Sequence, residues 1–187
     1  MQSTRVLGLA GWSGSGKTTL LVRLIPVLVA RGLRIATLKH AHHAFDVDTP
    51  GKDSYEHRKA GACEVIVSSA RRWVQMHEVE GGAEATLGEL LRRVSPCDLV
   101  LVEGFKGEAL PKMEIYRAAV GKPAFYLGDR FVHAVATDGP LAGEHPPTVH
   151  LNDVEAVADA VLRLAQPLQH VLEELAKPAP RAAVTPA

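Results

Sequence analysis

The octapeptide Gly11-Trp-Ser-Gly-Ser-Gly-Lys-Thr18 constrains this chain more than any other feature of it. It satisfies G-x-x-x-x-G-K-[ST], with the apolar run Val6-Leu-Gly-Leu-Ala10 before it and a helical pattern after it, the context in which such a loop holds phosphate. Phosphate oxygens can be reached by consecutive backbone N–H groups only where side chains leave room, and Gly11, Gly14 and Gly16 leave it. The helix N-terminus behind the loop adds about half a positive charge and free donors. Gly11, Ser13, Gly14, Ser15, Gly16, Lys17, Thr18 and Thr19 are therefore expected to bind a nucleoside triphosphate. In that arrangement Lys17 reaches the β- and γ-phosphates and the Thr18 hydroxyl faces Mg²⁺.

The pattern around the loop predicts the fold. Leu20, Leu21, Leu24, Ile25, Leu28 and Val29 recur at helical spacing up to Gly32, with Pro26 expected to kink the helix, and Arg34 to Leu38 restores a strand. Lys39 to Lys52 reads as a long loop and Asp53 to Ala60 as a helix stopped by Gly61. Strands are expected at Glu64 to Ser69, Arg72 to His77, Asp98 to Val102, Lys112 to Tyr116, Val132 to Ala136 and Thr148 to Leu151. Helices are expected at Glu84 to Arg93 and, as the last one, from an Asn152 or Asp153 cap to about Ala165. This alternation predicts an α/β three-layer P-loop NTPase fold with a mainly parallel β-sheet flanked by helices. A nucleotide-binding domain over residues 1–166 is expected, followed by a helix end and Pro/Ala-rich tail over 167–187.

Ligands of such sheets bind at the carboxyl ends of the strands, and that rule selects among the acids. Asp98 opens the Leu-Val-Leu-Val strand and Glu103 closes it, roughly 16 Å away at strand rise. Glu103 is thus the expected partner of Thr18 in the metal shell, and Asp98 caps a strand or faces solvent. The stretch Lys39-His-Ala-His-His-Ala-Phe-Asp-Val-Asp48 also follows a strand. Its histidines with Asp46 and Asp48 suit a transition metal, contacts to phosphate or substrate, or a solvated loop. Asp46 or Asp48 also suits the activation of water near a γ-phosphate, and Asp53 either opens a helix toward an anion or merely caps it. Asp138, in Val-Ala-Thr-Asp-Gly139 after a strand, is placed either to accept both N–H donors of guanine or to make a turn; the lysine-containing base motif of many GTPases is absent.

Lysine plus arginine and aspartate plus glutamate both number 21, so no global basic field gathers nucleic acid. Cys63 and Cys97 lack a second cysteine at metal-ligand spacing and read as reduced thiols. Met1 to Arg5 is short and polar, and glycine and serine interrupt the next apolar run, so the expectation is a cytoplasmic protein without membrane contact.

Five blocks occur in order: Gly11 to Thr19, Leu38-Lys-His-Ala-His-His43, Asp46-Val-Asp-Thr-Pro-Gly-Lys-Asp-Ser-Tyr55, Arg58-Lys-Ala-Gly-Ala62 and Leu101-Val-Glu-Gly-Phe-Lys106. With them the chain resembles the MobB family, molybdopterin-guanine dinucleotide biosynthesis protein B, from about Val6 to Ala165. The resemblance implies a homodimeric GTP-binding accessory protein with weak GTPase activity. Such a protein assists the guanylyltransferase that attaches GMP to molybdopterin, with molybdopterin itself a candidate ligand. It implies that Gly14 to Thr19 bind phosphates, that Glu103 lies near the metal, and that Lys39, His40, Asp48 and Lys52 line the outer part of the site. A small-molecule kinase with Asp46 or Asp48 as base, and a metal-delivery GTPase with the histidines as cargo ligands, are the competing functions.

Overall fold

The computed structural model describes residues 3–41, 45–79, 81 and 84–177. The chain divides into two compact units, residues 1–40 with 87–187 and residues 41–86.

In the first unit, β1 (Arg5–Ala10) lies at the centre of the sheet. It leads through the glycine loop into α1 (Lys17–Ala30), which Pro26 does not end. β2 (Ile35–Lys39) closes the first crossover. In the second unit come α2 (Asp53–Lys59), β3 (Glu64–Ser68) and β4 (Trp73–His77). The first unit resumes with α3 (Leu87–Arg93), β5 (Leu99–Glu103), β6 (Lys112–Tyr116), β7 (Val132–Thr137), β8 (Thr148–His150) and α4 (Val154–Leu164). The strands run β2-β5-β1-β6-β7-β8, all of these pairs parallel. This is the P-loop α/β sheet expected from the sequence.

Both faces of the sheet are buried, because successive strand residues point to opposite sides and both sets are apolar. Leu7, Leu9, Leu99, Leu101, Met113 and Ile115 pack with leucines of α1 and with Val157 and Val161 of α4. Val6, Val100 and Val102 pack on the other side with Leu87 and Leu91 of α3 and with Val171. Burying each such leucine or valine contributes about 1.5–3 kcal/mol, which makes these two layers the main source of stability.

The helix ending at Leu164 is not the last. Gln166–Pro167 forms a short strand, β9, antiparallel to the start of β1, and Leu168–Leu175 forms α5, which supplies the buried Val171. Pro167, the last residue of β9, sits at the cap position before α5, where the helix has no use for the N–H that proline lacks.

The second unit is built differently. β3 and β4 pair antiparallel in a two-stranded sheet of their own, Val65 opposite Met76, and α2 buries none of its residues. Among the described residues no helix is long and apolar enough to cross a membrane.

Candidate functional site: the phosphate loop and its rim

The loop's backbone explains its glycines. Gly11 and Gly16 adopt positive φ values of 148° and 92°. A Cβ on Gly11 would come within 2.6 Å of both the Ile115 carbonyl oxygen and Ser15 Oγ, so no larger residue fits. Gly16 precedes α1 without a side-chain cap, and the first turn of the helix carries no acid, so its N-terminal donors and positive potential are left for a ligand. Ser15 Oγ is buried without a hydrogen-bond partner, while Thr18 and Thr19 are exposed on that first turn. Lys17 Nζ donates to the carbonyls of Gly11 and Trp12, each at 2.9 Å, and thus lies folded over the loop. Its pKa is lowered, first by burial; Glu103 opposes the shift, and Lys106 and Lys39 add to it. The uncapped helix start, the unpartnered Ser15 hydroxyl and the exposed Thr18 fit a magnesium-bound polyphosphate.

Strand register decides which acid faces the loop. Glu103 is level with Leu9 of β1 and with Lys39 of β2, at the edge from which the loop springs, and is 9% exposed. Asp98 lies at the opposite edge and binds Arg34, accepting its backbone N–H at 2.8 Å. Lys39 is exposed at the end of β2, and the next N–H, that of His40, donates to the Glu103 carbonyl at 2.9 Å.

The Glu-Gly-Phe-Lys block acts as a clamp. Gly104 has φ 99°, and a Cβ there would approach that of His40 to 2.9 Å, so glycine lets the two strand ends meet. Phe105 then packs on the His40 ring, with centroids 4.9 Å apart. Lys106 extends its ammonium over Trp12 of the loop and over Phe125, at 5.2 and 5.3 Å. Trp12 stacks on Phe125 at 4.7 Å and donates its indole N–H to the Pro123 carbonyl at 2.7 Å. The fully buried Glu114 holds Phe125 in place, accepting the N–H groups of Phe125 and Tyr126 at 2.8 and 3.0 Å. Burial raises the pKa of this carboxyl against the opposing pull of those two donors. Beside Trp12 opens a cleft of about 1000 Å³, whose lining includes Lys106, Phe125, Asp129, Arg130 and Phe131.

Asp138 directly follows β7, and its carboxylate meets Arg117, the residue directly after β6. Sequence reasoning passed over Arg117, Glu114 and Phe125. The edge rule that selected Glu103 would have found Arg117, because it directly follows the carboxyl end of a parallel strand; Glu114 and Phe125 carried no local signal.

Asp48 and Lys52 belong to the second unit. Asp48 Oδ1 accepts from the Thr49 N–H and the Ser54 hydroxyl, while Oδ2 has no hydrogen-bond partner. Lys52 is exposed and precedes α2, so Asp53 is the first helical residue rather than its cap. Asp46 is gripped by Arg58 through Nη1 at 2.8 Å and Nη2 at 3.0 Å, which lowers its pKa to about 2. Arg58 also meets Glu78 at 2.8 Å. His42 and His43 lie outside the described residues.

Comparison with known proteins agrees with this geometry. The family model described as "Molybdopterin guanine dinucleotide synthesis protein B", MobB, matches residues 6–138. The chain is 49% identical over 164 residues to the molybdopterin-guanine dinucleotide biosynthesis adapter protein of Escherichia coli K12, covering 86% of this chain and 93% of that protein. It is 41% identical over 158 residues to the adapter protein of Haemophilus influenzae, covering 83% and 86%. Among solved structures, a molybdopterin-guanine biosynthesis protein B superposes with a TM-score of 0.66 at 27% identity, over 85% of this chain and 99% of that one. Bacillus subtilis MobB superposes with a TM-score of 0.68 at 25% identity, over 87% and 98%. A match through the phosphate loop, the Glu103 strand and Asp138, joined to the same fold, leaves one conclusion: the chain belongs to the MobB family.

Proposed function

We propose that this chain is a cytoplasmic GTP-binding accessory protein of molybdopterin guanine dinucleotide assembly, that it works beside the guanylyltransferase as a homodimer, and that it hydrolyses GTP slowly. The observation that carries the nucleotide part is the convergence of Lys17, Glu103 and the uncapped start of α1 on one edge of the sheet. The assembly pathway rests on family membership.

In this reading Gly11, Ser13, Gly14, Ser15, Gly16, Lys17, Thr18 and Thr19 take the phosphates. Thr18 and Glu103 face Mg²⁺, which when bound neutralises charge on the β- and γ-phosphates. Asp138 accepts the guanine N–H donors. Lys39 and His40 line the outer site. The aromatic cleft beside Trp12, with Lys106 and Arg130 at its walls, suits a planar anionic second ligand such as molybdopterin.

The kinase alternative loses one of its two bases, since a carboxylate held near 2 by Arg58 is a poor proton acceptor. The metal-delivery alternative depends on His42 and His43. The deciding experiment is affinity capture from a bacterium making molybdenum enzymes, with bound nucleotide measured on the same sample. Recovery of the guanylyltransferase with GTP or GDP is expected. Tight ATP with no cofactor-synthesis partner, or fast acceptor-dependent phosphoryl transfer, would overturn the proposal.

A further inference from the structure

A carboxylate at the end of a strand reads guanine only if something aims it, and this chain lacks the lysine-containing motif that often accompanies such an acid. β6 and β7 are parallel neighbours, with Tyr116 level with Thr137, so Arg117 and Asp138 leave the sheet side by side. Arg117 Nη1 donates to Asp138 Oδ2 at 2.5 Å. From the same guanidinium, Nε donates to the Ser15 carbonyl at 3.2 Å. The group lies against the phosphate loop, since a Cβ on Gly16 would sit 3.5 Å from Arg117 Nε. Thr137 closes the turn beyond: its hydroxyl donates to the Gly139 carbonyl at 3.0 Å and accepts the Gly139 N–H at 3.3 Å.

One planar cation thus ties the loop that holds phosphate to the acid that would face the base. A carboxylate has two oxygens and about four acceptor directions. With Oδ2 pinned by Arg117, Oδ1 and the remaining lone pair stay available for two N–H donors. Both side chains are one-third exposed, so a ligand can reach the pair.

We infer that Arg117 is the positioning residue of a guanine-reading rim: it holds Asp138 in register with the phosphate loop, so that base selection depends on an arginine that need not touch the base. The inference rests on the GTP reading above.

The test compares binding of GDP, inosine diphosphate, xanthosine diphosphate and ADP, with tripolyphosphate as a base-free probe, by isothermal titration calorimetry on the full chain. Inosine lacks the 2-amino donor, and xanthine carries an acceptor in its place. Wild type should prefer GDP to inosine diphosphate by about tenfold or more, the scale of a charge-assisted hydrogen bond. Arg117→Ala should bring that ratio close to one while tripolyphosphate affinity stays within about threefold, and Arg117→Lys should restore part of the ratio. Asp138→Asn should turn the preference toward xanthosine diphosphate, because its amide N–H can meet the xanthine oxygen.

An unchanged GDP-to-inosine ratio in Arg117→Ala overturns the inference and leaves the GTP reading standing. Equal affinity of wild type for GDP and ADP overturns both. Loss of tripolyphosphate binding in step with GDP would make Arg117 a structural part of the loop and also overturns the inference. Should Arg117→Ala fail to fold, Arg117→Gln and Arg117→Lys face the same comparisons.

Discussion

The two units solve the problem of stability in opposite ways. In the first, Leu7, Leu24, Leu28, Leu99 and Val100 are fully buried, and helices cover both faces of the sheet. In the second, Ile66 is 60% and Trp73 is 62% exposed, and Arg58 with Asp46, Asp48 and Glu78 forms a polar cluster. A two-stranded sheet is marginal in water by itself, and its apolar side chains gain nothing while they face solvent. The unit that carries the phosphate loop is therefore the self-sufficient one. The exposed hairpin is a candidate face for a second copy of this chain, the homodimer of the proposal above.

The sharpest way to break this contrast is to cut into the core. Leu24→Ala should cost about 2–5 kcal/mol in urea unfolding, whereas Trp73→Lys should change monomer stability by no more than about 0.5 kcal/mol. Trp73→Lys should instead shift a dimer to monomer in sedimentation velocity; an unchanged dimer would place the contact elsewhere.

Lys17→Ala is expected next in size, and it sharpens the comparison because it acts on function alone. On the proposed function it would remove a charge-assisted contact to phosphate worth about 1.5–3 kcal/mol, a loss of roughly tenfold or more in triphosphate affinity, read by calorimetry with the melting curve unchanged. Glu103→Gln should reduce Mg²⁺-dependent turnover more than nucleotide affinity, and Asp98→Asn at the far edge should do neither. A larger turnover loss in Asp98→Asn would refute the assignment by strand edge.

The smallest effect belongs to the polar cluster. Hydrogen bonding by Arg58 lowers Asp46 to about 2 from an ordinary 3.8. The pairing is fully present above pH 3.8 and is lost as pH falls through about 2. Carboxyl-carbon NMR should find the Asp46 midpoint near 2, returning toward 3.8 in Arg58→Ala.

Legibility followed the range of the interaction. Asp53 to Lys59 was readable because Gly61, at φ 102°, follows it as a local stop. The hairpin strands β3 and β4 read like sheet strands, since alternation and β-branching do not say which neighbour a strand will choose. α5 was missed because its apolar residues take meaning only from the second core they complete, and β9, only Gln166–Pro167, carries no strand pattern of its own.

Within the site the division is the same. Glycines at Gly11, Gly14 and Gly16, a lysine and a threonine specify a phosphate loop by themselves, because backbone conformation and helix polarity are properties of adjacent residues. Glu103 was within reach because strand direction tells which end of a run meets the loop. Arg117 on Asp138, Lys106 on Trp12 and Glu114 under Phe125 were decided only by the fold: these partners are separated in sequence, and parallel crossovers and sheet register bring them together.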